Sequence, residues 1–426
     1  MNWSINTKSA FLKSVMLLST GTLIAQLISY IATPFITRLF TPEELGTLGW
    51  FMRIATFLAT AATIRYELAL PIPKKDEHAF QLLRSTFKIA SYIILSFFLI
   101  TIIYWLFNQT DTSFWFLALI SVAGIFIVIK NIGTNWSIRM RYFKAISTSA
   151  IVAAIFTNVS KIIAGKLELS SKGLIWATII GLFAGAIVFI IQIQNFKKKS
   201  HHQYSSKKAK ALRINHKDFP FVNLPHTLID HGREVILAYF LILFFDEAVF
   251  GSYEQAFRLL KIPLILIGTS IGQVFFNRIS ELYKEKKGMI QSLFKTTVLL
   301  TAISIVPFAI IFLYGDIIFE FVLGEQWFYA GQIAQALTPW LLVNFIASPL
   351  STLPLVLKKQ KIFFWIGLVG TIIQLIGFGL IPYLYQFTDD ETLILFKIIS
   401  WSMGFYLVLV MIFKFKIVQN YESRIG

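Results

Sequence analysis

Arg53 and Arg258 lie inside long apolar stretches, each seven positions after a glycine, Gly46 and Gly251. Residues 40–53 and 245–258 align with both the glycine and the arginine in register, about half a chain apart. A guanidinium held in a bilayer costs about 2.5–3.5 kcal/mol even on the most lenient scale, so such residues are kept for a use. The planar fork of a permanently charged guanidinium suits carboxylate and phosphate oxygens. The chemistry to expect is therefore anion binding within a membrane. Arg65, Arg233, Lys261 and Lys397 are further cations in or near apolar segments and join Arg53 and Arg258 as substrate-binding candidates. Glu67, Asp230, Glu234 and Glu254 are the carboxylates in the same segments.

These residues fall in stripes. Ser19, Thr22, Gln26, Ser29 and Thr33 step by three or four, as do Arg53, Thr56, Thr60, Thr63 and Glu67. Asn223, His226, Asp230 and Arg233 form a third stripe, with Glu234 beside them, and Glu254, Arg258 and Lys261 a fourth. Such steps place side chains on one helical face. Hydrocarbon offers no partners, so the stripes are expected to line a wet cavity, with Gln26, Thr56, Thr60, Thr63, Asn223 and His226 as its uncharged polar lining. A blander reading stays open for each. Threonine hydroxyls bond their own helix backbone, Glu254–Arg258 and Asp230–Arg233 have ion-pair spacing, and Arg65 and Lys397 have the reach to snorkel.

The elements that must position these residues are membrane helices. The chain is 56% hydrophobic and 14% charged, with a mean hydropathy of +0.69. Soluble domains carry about 25% charged residues. Twelve apolar runs are long enough to span a bilayer, the second near 46–68, the seventh near 222–243 and the eighth near 249–275. They form two groups of six: an N-terminal bundle over 1–196 and a C-terminal bundle over 221–426. The basic stretch 197–220 reads as a solvated linker. Alternate loops differ in charge. Lys74, Lys75, Arg84, Arg139, Arg141, Lys144, the linker, Arg278 and Lys284 fall on one side; Asp111, Asp246, Glu247, Asp316 and Glu325 fall on the other. By the positive-inside rule both termini are cytoplasmic. Six spans per half make the halves a parallel repeat.

The net charge of +17 belongs to these loops and not to a nucleic-acid surface. There is no cysteine, so disulfides and thiol catalysis are excluded. The start of the chain reads as an uncleaved first span. No phosphate-cradling glycine loop, nucleophile triad or cofactor motif is present, and no cofactor is expected. Asn108-Gln109-Thr110 has the glycosylation pattern and His201-His202 a chance metal pattern, both weak.

Several blocks resemble Wzx-type polysaccharide flippases: residues 19–26 leading to Pro34–Gly46, Arg65-Tyr66-Glu67 through Pro71, Lys217-Asp218-Phe219-Pro220, Phe257–Pro263, Ile271–Phe276, Gly324–Gly331 and Pro339-Trp340. The resemblance runs through most of the chain in order. It implies the all-α multidrug/oligosaccharidyl-lipid/polysaccharide (MOP) exporter fold, with twelve helices in two six-helix bundles around a central cavity. It further implies a polyprenyl-diphosphate-linked oligosaccharide, of O-antigen or capsule type, carried across the bacterial inner membrane by alternating access and coupled to H+ or Na+. Polymerase and chain-length proteins are the implied partners. A multidrug or cation antiporter of the same superfamily is the alternative, against which the basic lining argues. A membrane enzyme of the same pathway is disfavoured by short external loops.

Overall fold

A computed structural model describes residues 5–108, 111–199 and 203–423. Gln109 and Thr110 of the glycosylation triplet and His201-His202 fall outside the described residues. All described regular structure is helical. Helix α1 spans Ile5–Thr37, α2 Pro42–Thr63, α3 Asp76–Asn108, α4 Asp111–Met140, α5 Phe143–Lys166 and α6 Ser170–Lys199. A short α7, Ser206–Asn215, follows; then come α8 Leu224–Phe244, α9 Glu247–Leu260, α10 Thr269–Glu285 and α11 Met289–Leu323. The chain ends with α12 Phe328–Ala347, α13 Leu353–Val356, α14 Gln360–Leu375, α15 Ile381–Leu384 and α16 Asp389–Glu422.

Helices occupy all twelve expected positions. Among the described residues nine helices are long and apolar enough to cross a membrane, and a tenth span is α12 with α13, bent by 44°. Of the two remaining expected spans, α8 falls short because it carries Asp230, Arg233 and Glu234, and α9–α10 because it is broken into helices of 14 and 17 residues. The eighth expected span is not one continuous helix: α9 stops at Leu260, and a π-helical turn, Leu264–Gly268, joins it to α10. Pro263 stands at this break, where its missing N–H and its ring disrupt the helical ladder.

Contacts divide the chain into two units. Unit 1 comprises Met1–Phe40 and Thr47–Ile236; unit 2 comprises Thr41–Gly46 and Leu237–Gly426. The division passes through α8, not through the basic stretch. In unit 1, α5 packs on α1 and α6, and α4 packs on α3 and α6. Its core includes Phe51, Phe80, Trp136 and Phe189, all essentially buried. In unit 2, α12 packs on α9, α11 and α16 around Phe250, Trp327, Phe345 and Phe396. Phe107, Phe321, Trp365 and Trp401 are exposed, the pattern of lipid-facing helices.

The basic stretch is largely exposed to solvent, but it is an ordered helical segment and not a free linker. Most of its described residues are helical, and α7 docks on α3. Buried Gln81 donates from Nε2 to the Gln203 carbonyl at 2.6 Å and accepts from the Ser205 N–H at 2.8 Å. Ser205 caps α7 by accepting from the Lys208 N–H. Lys208 pairs with Glu77 at 2.7 Å, and Ala209 is fully buried.

Candidate functional site: intramembrane charges

Arg53 stands in the middle of α2 with its side chain 16% exposed. Its Nη1 donates to the main-chain carbonyl of Glu234 at 2.9 Å, and the Glu234 carboxylate lies 3.8 Å away. That carboxylate is half exposed, so the ionic attraction is screened and contributes about 1 kcal/mol at most. The guanidinium carries five N–H donors in a fixed fork, and one of them makes this main-chain bond.

Arg65 does not lie on the same helix as Arg53. Helix α2 ends at Thr63, Ile64 and Arg65 adopt left-handed backbone (φ 49° and 61°), and Tyr66–Ala69 forms a 3₁₀ turn. Glu67 therefore leaves the α2 stripe. Nor does Arg65 snorkel: its Nε donates to Asn223 Oδ1 at 2.9 Å and its Nη1 to Glu67 Oε1 at 3.1 Å. Asn223 closes a π-helical turn, Phe219–Asn223, that leads into α8. The hydroxyl of Tyr66 donates to the Arg213 carbonyl of α7 at 3.3 Å. Three local segments thus meet here: Arg65–Glu67, the turn that ends at Asn223, and α7. Glu67 is buried, and its Oε2 has no hydrogen-bond partner among the described residues. This carboxyl lies beyond the spanning helix; burial pushes its pKa up, against the opposing influence of Thr63 and Arg65.

On α8, His226 Nδ1 lies 3.4 Å from Asp230, and both side chains are more than half exposed. Asp230 thus has His226 as its neighbour, where ion-pair spacing had also offered Arg233. The Nε of Arg233 is buried and has no hydrogen-bond partner among the described residues, and the same holds for Oε1 of Gln26 on α1. Thr56 is partly exposed, whereas Thr60 and Thr63 are buried, and the Thr63 hydroxyl donates to the Thr60 carbonyl at 3.3 Å. The stripe on α1 is likewise partly internal. Thr33 bonds the Ser29 carbonyl at 2.8 Å, and Asn158 of α5 donates to the Ser29 hydroxyl at 3.2 Å.

In unit 2, Arg258 is exposed near the end of α9 and Glu254 is partly buried one turn earlier. Lys261 caps α9, with Nζ 4.0 Å from the centre of the Phe257 ring. Such a cation–π contact is worth about 0.5–1 kcal/mol at an exposed site and offsets its nearness to Arg258. Lys397 is exposed on α16. Two residues that the stripes did not single out also matter. Lys414 of α16 is buried and donates to the Ala347 carbonyl at 3.2 Å, where α12 breaks. Arg139 holds the segment before α3 through the Pro73 carbonyl and Asp76, both within 2.7 Å. Among the described residues no group of three or more His, Asp or Glu is placed to hold a metal ion.

Residues 35–331 match the profile of a family described as polysaccharide biosynthesis protein. The chain belongs to that family. No curated protein is a significant match to its sequence. Among solved structures, this member of the polysaccharide biosynthesis family shares its fold with an inward-facing multidrug resistance MATE family transporter of the MOP superfamily. The TM-score is 0.69 at 13% identity, over 96% of this chain and 99% of that one. It shares it equally with the lipid II flippase MurJ in an inward closed conformation: TM-score 0.69 at 16% identity, over 96% and 91% of the two chains. An outward-facing MATE family transporter gives a TM-score of 0.57 at 15% identity, over 97% and 96%. The fold is that of the MOP superfamily, and this family member is a multi-pass membrane protein.

Proposed function

We propose that this protein moves polyprenyl-diphosphate-linked oligosaccharide repeat units, of O-antigen or capsule type, from the inner to the outer leaflet of the bacterial cytoplasmic membrane. Both termini are then cytoplasmic, in keeping with the basic loops. The observation that carries the reading is Arg53. It is a guanidinium in the middle of a membrane helix, tied to the main-chain carbonyl of Glu234 at 2.9 Å, with the half-exposed carboxylate of the same residue 3.8 Å away. Membership of a polysaccharide biosynthesis family supports a glycan as cargo.

Ionised phosphate and unpaired hydroxyls are far too costly to move through hydrocarbon unaided, at several kcal/mol for each hydroxyl alone. Cations replace the lost hydration of the diphosphate. Arg53, Arg65 and Arg233 of unit 1 and Arg258, Lys261 and Lys397 of unit 2 are assigned to it. Gln26, Thr56, Asn223 and His226 are assigned to the sugar. The assignment extends to Thr60 and Thr63 only if α2 turns from its present packing. Glu67, Asp230, Glu234 and Glu254 are assigned to H+ or Na+ coupling, with alternating access as the mode of transport. Complementation of a deletion strain tests this. The chain should restore surface polysaccharide and leave drug sensitivity unchanged. Restored drug resistance without glycan would favour the antiporter reading.

A further inference from the structure

A cavity of about 620 Å³ opens where three spanning helices of unit 1 end. Its walls are the turn between α4 and α5, the first turns of α5 and the last turns of α6. The volume lies within the roughly 300–1,000 Å³ of small-molecule sites. Arg141 and Lys144 line it with Tyr142, Thr148, Gln192 and Asn195, and no carboxylate is among the lining residues. None of these residues is among those assigned above to the transported glycan.

Arg141 occupies a backbone position that ends α4. The Tyr142 N–H bonds the Ser137 carbonyl at 2.8 Å and Arg141 has φ 57°, which is the left-handed helix-ending motif usually filled by glycine. An L-residue is disfavoured in that conformation relative to the right-handed form. A second signal comes from Gln192. Ser137 Oγ lies 2.7 Å from its Oε1, while Nε2 is buried without a partner among the described residues. Ser137 Oγ also lies 2.7 Å from the Gly133 carbonyl and has one proton to give. Either orientation of the Gln192 amide therefore leaves one polar atom unmatched at the cavity wall. Finally, α5 begins with no side-chain cap on its first amides.

We propose that this cavity binds a phosphate ester, and specifically the phosphodiester headgroup of an anionic membrane lipid. Arg141 and Lys144 hold the phosphate, while Thr148, Gln192 and Asn195 meet the headgroup hydroxyls. The level of the cavity fits: the spans Phe114–Met140, Phe143–Lys166 and Ser170–Lys197 all have an end here, where a bilayer carries its phosphates.

The test compares the wild-type protein with the double variant Arg141→Gly, Lys144→Gln. Glycine keeps the left-handed turn, so the variant retains the local fold. Purified protein is titrated in detergent with phosphatidylglycerol, with phosphatidylcholine and with sn-glycerol 3-phosphate, and bound ligand is counted by native mass spectrometry. The wild type should retain one phosphatidylglycerol against phosphatidylcholine, and the variant should bind it about tenfold or more weakly, as loss of charge-assisted bonds implies. Melting temperature without lipid should be equal or higher in the variant. Equal competition by sn-glycerol 3-phosphate would support the site and assign it a soluble phosphate ester. Unchanged phosphatidylglycerol binding by the variant would overturn the proposal and leave the transport reading intact.

Discussion

Gly46 and Gly251, aligned in the two halves of the sequence, face each other in unit 2. A Cβ on Gly46 would stand 3.1 Å from the Gly251 nitrogen and overlap the Glu247 carbonyl oxygen; one on Gly251 would overlap the Pro42 carbonyl and reach 2.8 Å from the Gly46 nitrogen. The starts of α2 and α9 thus meet backbone to backbone, as small residues allow.

Replacing Gly251 with Leu should therefore destabilise the protein by about 1–3 kcal/mol or more, as overpacking does elsewhere. Gly367→Ala is the matched control. No atom lies within 4 Å of its new Cβ, and an alanine inside a helix gains about 0.5–1 kcal/mol over glycine. Melting temperature in detergent should fall for the first and hold or rise for the second.

Arg53→Ala should lower surface polysaccharide about tenfold or more at equal membrane expression, the scale of one lost charge-assisted contact. Arg53→Lys should recover only part, because an ammonium cannot hold the Glu234 carbonyl and a phosphate oxygen in the fixed geometry of a fork. Full activity of Arg53→Ala, measured by glycan immunoblot, would remove this residue from the mechanism.

Arg65→Ala should be more damaging than its exposure implies, because it leaves the Glu67 carboxylate buried and uncompensated, a loss of about 3–5 kcal/mol. Adding Glu67→Gln should recover most of it. The pH dependence follows in sign. A carboxyl raised by burial binds protons more tightly in the folded state, so its contribution is greatest in acid and declines as pH climbs from the ordinary value of 4.5. Melting curves of Glu67→Gln should lack that decline.

Gln81→Leu should release α7 from α3 by breaking both bonds to 203–205. Trypsin should then cut at Lys207, Lys208 and Lys210 faster than in the wild type, with the core of unit 1 unchanged. Equal cleavage would mean that Lys208–Glu77 and Ala209 hold the helix without Gln81.

The long helices were legible because twelve apolar runs announce themselves. The sharper features were not. Nothing in Thr63-Ile64-Arg65-Tyr66 marks a helix end: there is no glycine or proline, and the polar step of three or four continues to Glu67. The left-handed residues there are held by contacts with Asn223, far along the chain. The docking of the charged run 203–217 leaves no trace in hydropathy, because it rests on Gln81, the Lys208–Glu77 pair, the Tyr66 bond to the Arg213 carbonyl and one buried alanine. The Arg53 partner was invisible for a different reason: the acceptor is a peptide carbonyl, which every residue has.

That last point has an evolutionary reach. A bond to the main chain at position 234 survives any substitution of that side chain that keeps the helix. Descendants of this sequence are therefore free to drift at 234 while keeping the guanidinium in place. Paired-substitution statistics should accordingly report little linkage between 53 and 234, although the two touch.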